Sequence, residues 1–133
     1  VDNPSAIYRA NLMGVDAAGW TEQGGACFAE EAKQFLTELI LGKRVIISWD
    51  SGAKIDEKEG RLLVYVYSRR HRSDVGALVL IEGFGWVPRE YPGIDRYKSY
   101  LSLETAARES GRGLWGNCPV DYLKFRPSLS PNQ

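Results

Sequence analysis

The sequence predicts an α+β domain, because it combines two alternating strands and two amphipathic helical segments without a regular strand–helix repeat. Residues 44–50 (RVIISWD) and 61–68 (RLLVYVYS) flank a polar turn, which predicts an antiparallel pair. Apolar residues recur at helical spacing from Ala26 to Gly42, and again between Pro92 and Gly111. A doubly wound parallel sheet would need strands and helices in alternation, so α+β is favoured.

The remaining segments complete this prediction. Residues 6–15 (AIYRANLMGV) predict a strand that ends at Asp16, and Ala77 to Glu82 predict a short helix. We therefore expect one domain over residues 1–118. Residues 119–133 contain three prolines among serines and predict a loosely packed tail.

Composition narrows the possible partners. Lys plus Arg and Asp plus Glu number 17 each, so any binding to a polyanion must come from a local patch of charge. No apolar run approaches the roughly 20 residues of a membrane span, and we expect no membrane partner. The two cysteines, Cys27 and Cys118, are far apart, and their spacing alone leaves open whether they are free thiols or paired.

Four segments carry a resemblance to a known family. They are LMGVDA at 12–17, LILGKRVIISWD at 39–50, EGRLLVYVY at 59–67 and AARESGRGLWG at 106–116. In this order and at these intervals they resemble the motifs of the staphylococcal nuclease (thermonuclease) family. The resemblance covers roughly residues 7 to 118.

The resemblance implies an OB-fold-type five-stranded β-barrel with three helices. Only about ten residues precede Asn11, where the family has two barrel strands. Three explanations are open: the barrel is shortened at its N-terminal side, a partner chain supplies or covers a strand at the open edge, or the sequence is part of a larger protein. Cys27 and Cys118 occupy the places of a cysteine pair in exported members, which implies a disulfide and a secreted or periplasmic protein.

The family's chemistry is the cleavage of phosphodiesters with Ca²⁺, held by two Asp carboxylates and a backbone carbonyl. A Glu activates water and two Arg neutralise the phosphoryl oxygens. By resemblance, Asp16 is a metal ligand, Ala17 supplies the carbonyl and Arg61 is one of the two Arg. Tyr91 falls near a tyrosine that lines the family's nucleotide pocket.

Several catalytic positions differ from the family pattern. Asn11 stands where the family has its other Arg, and Gly19 stands where it has the Glu. The upstream Asp-Gly-Asp-Thr segment, which carries the first metal-binding Asp, does not occur in this sequence. Two nearby charges, Arg9 and Glu22, are candidate replacements. Because Ca²⁺ usually takes six to eight oxygen ligands, we expect Ca²⁺ binding to be weak or absent.

Each retained residue also has a purely structural interpretation. Asp16 is equally consistent with a carboxylate that caps a turn, and Arg61 with a surface ion pair to Asp50 or Glu59.

One basic cluster, Arg69, Arg70, His71 and Arg72, has two interpretations: a solvated turn, or a patch that follows phosphates together with Arg61 and Arg89. His71 has no local partner for catalysis and is taken as a surface residue.

From these observations we predict a nuclease-like OB-fold module with a degraded active site, which binds nucleic acid through Arg61, Arg69, Arg70, Arg72 and Tyr91. A calcium-dependent phosphodiesterase that uses Asp16 and Arg61 is the first alternative. A protein-interaction scaffold, which zero net charge favours, is the second.

Overall fold

The computed structural model describes residues 7–19, 27–56 and 60–119. Its elements, in chain order, are β1 (Ala10–Leu12), β2 (Asp16–Ala17), α1 (Ala29–Ile40), β3 (Val45–Ser48), β4 (Leu62–Ser68), β5 (Ser73–Asp74), α2 (Val75–Ile81), β6 (Gly85–Trp86), α3 (Tyr97–Ser110) and α4 (Leu114–Asn117). The α+β prediction is confirmed, with three helices and a fourth of a single turn.

The longest strand, β4, is the axis of the main sheet. It pairs in parallel with β1 on one side and antiparallel with β3 on the other, and it also pairs with β5. A separate two-stranded sheet joins β2 to β6. The predicted antiparallel pair is therefore present, but the strands of the described residues form open sheets rather than a closed barrel.

The first predicted strand is the element that differs most from expectation. Instead of one strand over 6–15, the chain forms the short β1, turns at Gly14 with a φ of 78° and continues as β2. A side chain at position 14 would lie 2.6 Å from the Ile94 side chain, so the turn requires glycine. The turn directs Asp16 away from β4 and toward β6.

The main core lies between β4 and the helices α2 and α3. Val75, Val79 and Leu80 of α2 are fully buried. The burial of each such side chain contributes about 1.5–3 kcal/mol. Asp74 caps the start of α2 by accepting a hydrogen bond from the Ala77 N–H at 3.3 Å. Because α2 is apolar on every side, it is held by its neighbours from all directions.

A disulfide closes a second, smaller core. Cys27 and Cys118 are bonded with a Cα–Cα distance of 5.7 Å, as the resemblance implied. They join the start of α1 to the end of α4 beside a cluster that contains Trp86 and Leu114. A closed loop of 91 residues corresponds to about 4–5 kcal/mol of stabilisation in the chain-entropy model.

The carboxylate of Asp50 connects three separate parts of the chain. It accepts hydrogen bonds from the Tyr65 hydroxyl of β4, from the Gly52 N–H at 3.0 Å and from the Asp95 N–H at 2.7 Å. Asp95 returns the contact by accepting from the Ser51 N–H at 2.8 Å. Asp50 is only 2% exposed, so these bonds replace the water that the carboxylate loses on folding.

The same hydrogen bonds predict how stability depends on pH. Burial alone would raise the pKa of Asp50, but the bonds from Tyr65, Asp95 and Gly52 outweigh it and lower the pKa below the ordinary value of 3.8. The ionised carboxylate therefore stabilises the fold above about pH 4. This contribution is lost as the pH falls through the folded-state pKa.

We expect Asp50→Asn to lower the free energy of unfolding by about 2–3 kcal/mol at pH 7, because it removes hydrogen bonds to a charged acceptor. The deficit should shrink at pH 3, because below about pH 4 the carboxyl takes up a proton in the unfolded chain and the contribution of the ionised carboxylate to stability begins to be lost. Urea unfolding of both proteins at the two pH values measures it. A deficit of the same size at pH 3 would contradict this account of Asp50.

Candidate functional site

A cleft of about 450 Å³ lies where β1 and β2 face the segments 53–56 and 88–94. Its wall is mostly apolar, and three polar side chains line it: Asn11, Asp16 and Asp56. The complete lining is Asn11, Leu12, Met13, Gly14, Asp16, Ala53, Ile55, Asp56, Leu63, Pro88, Tyr91 and Ile94. A concave, mainly apolar surface with a few converging polar groups is typical of a ligand site.

The register of β1 against β4 brings Arg61 next to Asn11, a residue that lines this cleft. Ala10 pairs with Leu62, and the Leu62 N–H donates to the Arg9 carbonyl at 3.0 Å. Arg61 is thereby placed beside Asn11, and its Nη1 donates to the Asn11 Oδ1 at 3.2 Å. The expected ion pair of Arg61 with Asp50 is absent, because that carboxylate is buried with other partners.

Asp16 lies on the exposed side of β2, at the rim of the cleft. Its backbone is fixed by pairing with Trp86, and β6 approaches so closely that a side chain at Gly85 would overlap the Asp16 carbonyl. This tight pairing gives Asp16 a defined position. The Asp16 carboxylate therefore lies at the rim of the cleft and is not only a carboxylate that caps a turn.

Sequence reasoning missed Asp56, a second carboxylate of the cleft. Ile55 forms a bridge with Leu62, and the Asp56 N–H donates to the Arg61 carbonyl at 2.8 Å. The chain after β3 thus returns alongside the start of β4. The signal was available in the sequence, because the polar turn between the two predicted strands is long enough to fold back beside Arg61.

The described residues of the cleft supply only a few of the oxygen ligands that a calcium site takes. Asp16 and Asp56 supply carboxylates and Asn11 an amide. The described residues contain no group of three or more His, Cys, Asp or Glu able to hold a metal ion. Ca²⁺ usually takes six to eight oxygens, so no step is assigned to it. Of the candidate replacements, Arg9 is exposed and outside the cleft lining, and Glu22 lies outside the described residues.

A family model described as staphylococcal nuclease homologue matches residues 9–117. The match includes β1, β4 and all four helices, and so both sides of the cleft. The chain belongs to the staphylococcal nuclease homologue family.

Curated relatives point to the same family. A probable endonuclease LCL3 from Coccidioides posadasii is 32% identical over 114 residues, which cover 78% of this chain and 35% of that protein. A second probable endonuclease LCL3, from Komagataella phaffii, is 31% identical over 112 residues, which cover 79% of this chain and 47% of that protein. An uncharacterised protein, MJ1439, from Methanocaldococcus jannaschii is 24% identical over 114 residues, which cover 86% of this chain and 53% of that protein. The chain spans about a third to a half of these relatives.

The nuclease-like domain presents Tyr91 at the rim of the cleft, with 65% of its surface exposed. Its carbonyl accepts from the Ile94 N–H at 3.4 Å, in the turn that leads to α3. An exposed ring is suited to stacking on a base. Tyr91 lines the cleft, Arg61 adjoins it through its hydrogen bond to Asn11, and the roles of both residues stay predictions.

The basic turn is at the other end of β4. Arg61 directly precedes this strand, whereas Arg69, Arg70 and Arg72 follow it and are all exposed. At about 3.3 Å per residue, Arg61 and Arg69 are roughly 25 Å apart. The two groups are thus separated by the length of β4, and their joint role in binding stays a prediction.

Arg89 is also not part of a phosphate-binding patch. Its Nη2 lies 2.6 Å from the Oε2 of Glu104, a fully buried side chain of α3. Glu104 also accepts from the Val87 N–H at 2.8 Å. The hydrogen bonds that Arg89 donates to Glu104 raise the pKa of Arg89. This charge is used to anchor α3 to the segment after β6.

Among the described residues, no helix is long and apolar enough to span a membrane.

We expect Arg89→Ala to destabilise the domain by about 3–5 kcal/mol, because it leaves the buried Glu104 carboxylate without its main partner. The double variant Arg89→Ala/Glu104→Ala should recover part of this loss. Urea unfolding measures both. If Arg89→Ala leaves stability unchanged and weakens nucleic-acid binding instead, the assignment of Arg89 to the core is wrong.

Proposed function

We propose that this chain is a nucleic-acid-binding module of nuclease type in which the capacity for cleavage is strongly reduced. The observation that carries the proposal is the hydrogen bond between Arg61 and Asn11 in the cleft. It occurs at the place where the family has two Arg. One guanidinium remains next to the cleft, and it donates a hydrogen bond to a neutral amide.

The loss of one Arg has a larger effect on catalysis than on binding. A phosphodiester carries one negative charge in its ground state, for which one guanidinium is an adequate partner. Charge accumulates on the phosphoryl oxygens only as the nucleophile attacks. Removal of one group that stabilises such charge typically lowers the rate about 100- to 1,000-fold. Gly19, where the family has Glu, provides no general base. Loss of such a base lowers the rate of cleavage by a further factor of about 100 to 10,000.

The residues for binding follow from the same geometry. Arg61 is the phosphate ligand in the cleft, Asn11 holds its guanidinium, and Tyr91 offers a stacking surface for a base. Arg69, Arg70 and Arg72 are exposed and follow β4, where they would contact phosphates outside the cleft. We assign binding to a single strand, because a base can reach Tyr91 only when it is unpaired.

A calcium-dependent phosphodiesterase is the second candidate. It is favoured by the presence of two carboxylates, Asp16 and Asp56, at one cleft together with Arg61. Two of the relatives are named probable endonucleases. In this case Asp16 would be a metal ligand and Arg61 a catalytic residue, with further oxygens from water or substrate.

We also propose that the protein works in an oxidising compartment, secreted or periplasmic. The support is the disulfide between Cys27 and Cys118, since such bonds persist mainly outside reducing cytosol.

Digestion of single-stranded DNA with Ca²⁺ tests the choice between the two candidates. We expect the wild type to cleave at no more than a trace of the rate of an active family member, and Asn11→Arg/Gly19→Glu to raise that rate. Binding of the trinucleotide (dT)₃ should weaken in Arg61→Ala and remain in Lys98→Ala, which removes an exposed charge from α3.

Robust wild-type cleavage that Asp16→Ala and Arg61→Ala both abolish, after identical purification, would reject the degraded-enzyme proposal in favour of the phosphodiesterase. Absence of any oligonucleotide binding by the wild type would reject both candidates and favour a protein-interaction scaffold.

A further inference from the structure

The pairing of β3 with β4 joins two basic segments that are distant in sequence. Val45 at the start of β3 pairs with Ser68 at the end of β4. Arg44 directly precedes β3 and Arg69 directly follows β4, so the two lie at the same end of the sheet, with Lys43 and Arg70 next to them in the chain. We call the group formed by Lys43, Arg44, Arg69, Arg70 and Arg72 the basic end of the sheet.

The positive charge of the basic end is not compensated. The salt bridges between described residues involve none of its four arginines. Asp74, which pairs with Tyr67 across β4 and β5, is the carboxylate closest to it in the strand register. That carboxylate binds Arg96 at 2.7 Å and the Tyr100 hydroxyl at 2.7 Å. Lys43 donates to the Glu38 carbonyl at the end of α1, which holds it in place.

An exposed aromatic side chain lies next to these charges. Tyr67 is 39% exposed and pairs across the strands with Ile46, which is 51% exposed. Positive charge next to an exposed ring is the combination by which proteins bind single-stranded nucleic acid, since bases stack on the ring while phosphates meet the cations. A small inorganic anion would make no use of the apolar pair.

We propose that the basic end is a second contact surface for nucleic acid, which binds the backbone of a strand whose other part lies in the cleft. The inference rests on the proposed function and adds Arg44 and Lys43, which no sequence pattern places with the arginine turn. Arg61 and Arg69 are roughly 25 Å apart. At a stacked rise of 3.4 Å per nucleotide, about eight nucleotides span this distance.

Affinity should therefore depend on the length of the strand. The trinucleotide (dT)₃ fits the cleft but cannot reach the basic end, whereas (dT)₁₂ can occupy both. Fluorescence anisotropy with the two oligonucleotides, over a series of salt concentrations, measures the difference. A linked second contact raises the overall affinity because the two ends of the strand bind as one unit.

The decisive variant is Arg44→Ala. It should weaken (dT)₁₂ binding about fivefold at 0.1 M salt and reduce the slope of log K against log salt by about 0.7, as expected for one lost phosphate contact. Binding of (dT)₃ should stay unchanged. Tyr67→Ala should weaken the binding of (dT)₁₂ without changing the slope of log K against log salt. Lys98→Ala removes one exposed charge elsewhere and should leave the binding of both oligonucleotides unchanged.

Each other outcome has a distinct meaning. If wild type binds (dT)₁₂ no better than (dT)₃, or if Arg44→Ala leaves (dT)₁₂ binding intact, the basic end is not a contact surface, while binding in the cleft stands. Arg44→Ala could weaken the binding of a heparin oligosaccharide as much as that of (dT)₁₂, while Tyr67→Ala weakens the binding of neither. In that case the surface binds polyanions in general and the proposal is wrong. Failure of the wild type to bind either oligonucleotide overturns both proposals.

Discussion

The arrangement of the cleft depends on the buried carboxylate of Asp50. It binds the Tyr65 hydroxyl and the Asp95 N–H at once, and so fixes the turn after β3, the centre of β4 and the segment before α3 relative to one another. Ala53 and Ile94, which line opposite sides of the cleft, lie within three residues of these contacts. A buried charge is costly unless every lone pair is satisfied, and here the donors come from three parts of the chain.

A second set of contacts extends this anchor to α2. The Arg96 guanidinium lies 4.0 Å from the centre of the Tyr65 ring and pairs with Asp74, the cap of α2. The Tyr100 hydroxyl donates to the same carboxylate. Burial and the bond to Asp74 raise the pKa of Tyr100, so that it remains a neutral donor. The fully apolar α2 is thereby held between polar contacts at its start and close packing along its length.

The sequence predicted the elements with strong periodicity and missed the contacts set by register. The helix α1 and the pair β3–β4 followed from apolar spacing, and the resemblance supplied the disulfide. The ion pair of Arg89 with Glu104 could not be predicted, because the two residues lie in different elements whose packing no local pattern specifies. The same holds for Asp56 in the cleft and for Arg44 beside Arg69.

The strand β4 relates the two proposed contact surfaces. Arg61 precedes it and lies next to the cleft, whereas the basic end follows it. The neutral overall charge of the chain is consistent with this proposal, since both surfaces would act through local charge. The cleft alone would recognise a phosphate with an adjacent base, and the basic end would add affinity for longer strands.

In the proposed function, the cleft next to Arg61 and Asn11 receives the nucleic acid. Nuclear magnetic resonance of ¹⁵N-labelled protein, titrated with (dT)₃, reports where the oligonucleotide binds. The signals of the Arg61 side chain, the Asn11 amide and the Tyr91 backbone should shift together with one dissociation constant. Shifts confined to other surfaces, with these three signals unmoved at saturation, would rule out binding in the cleft.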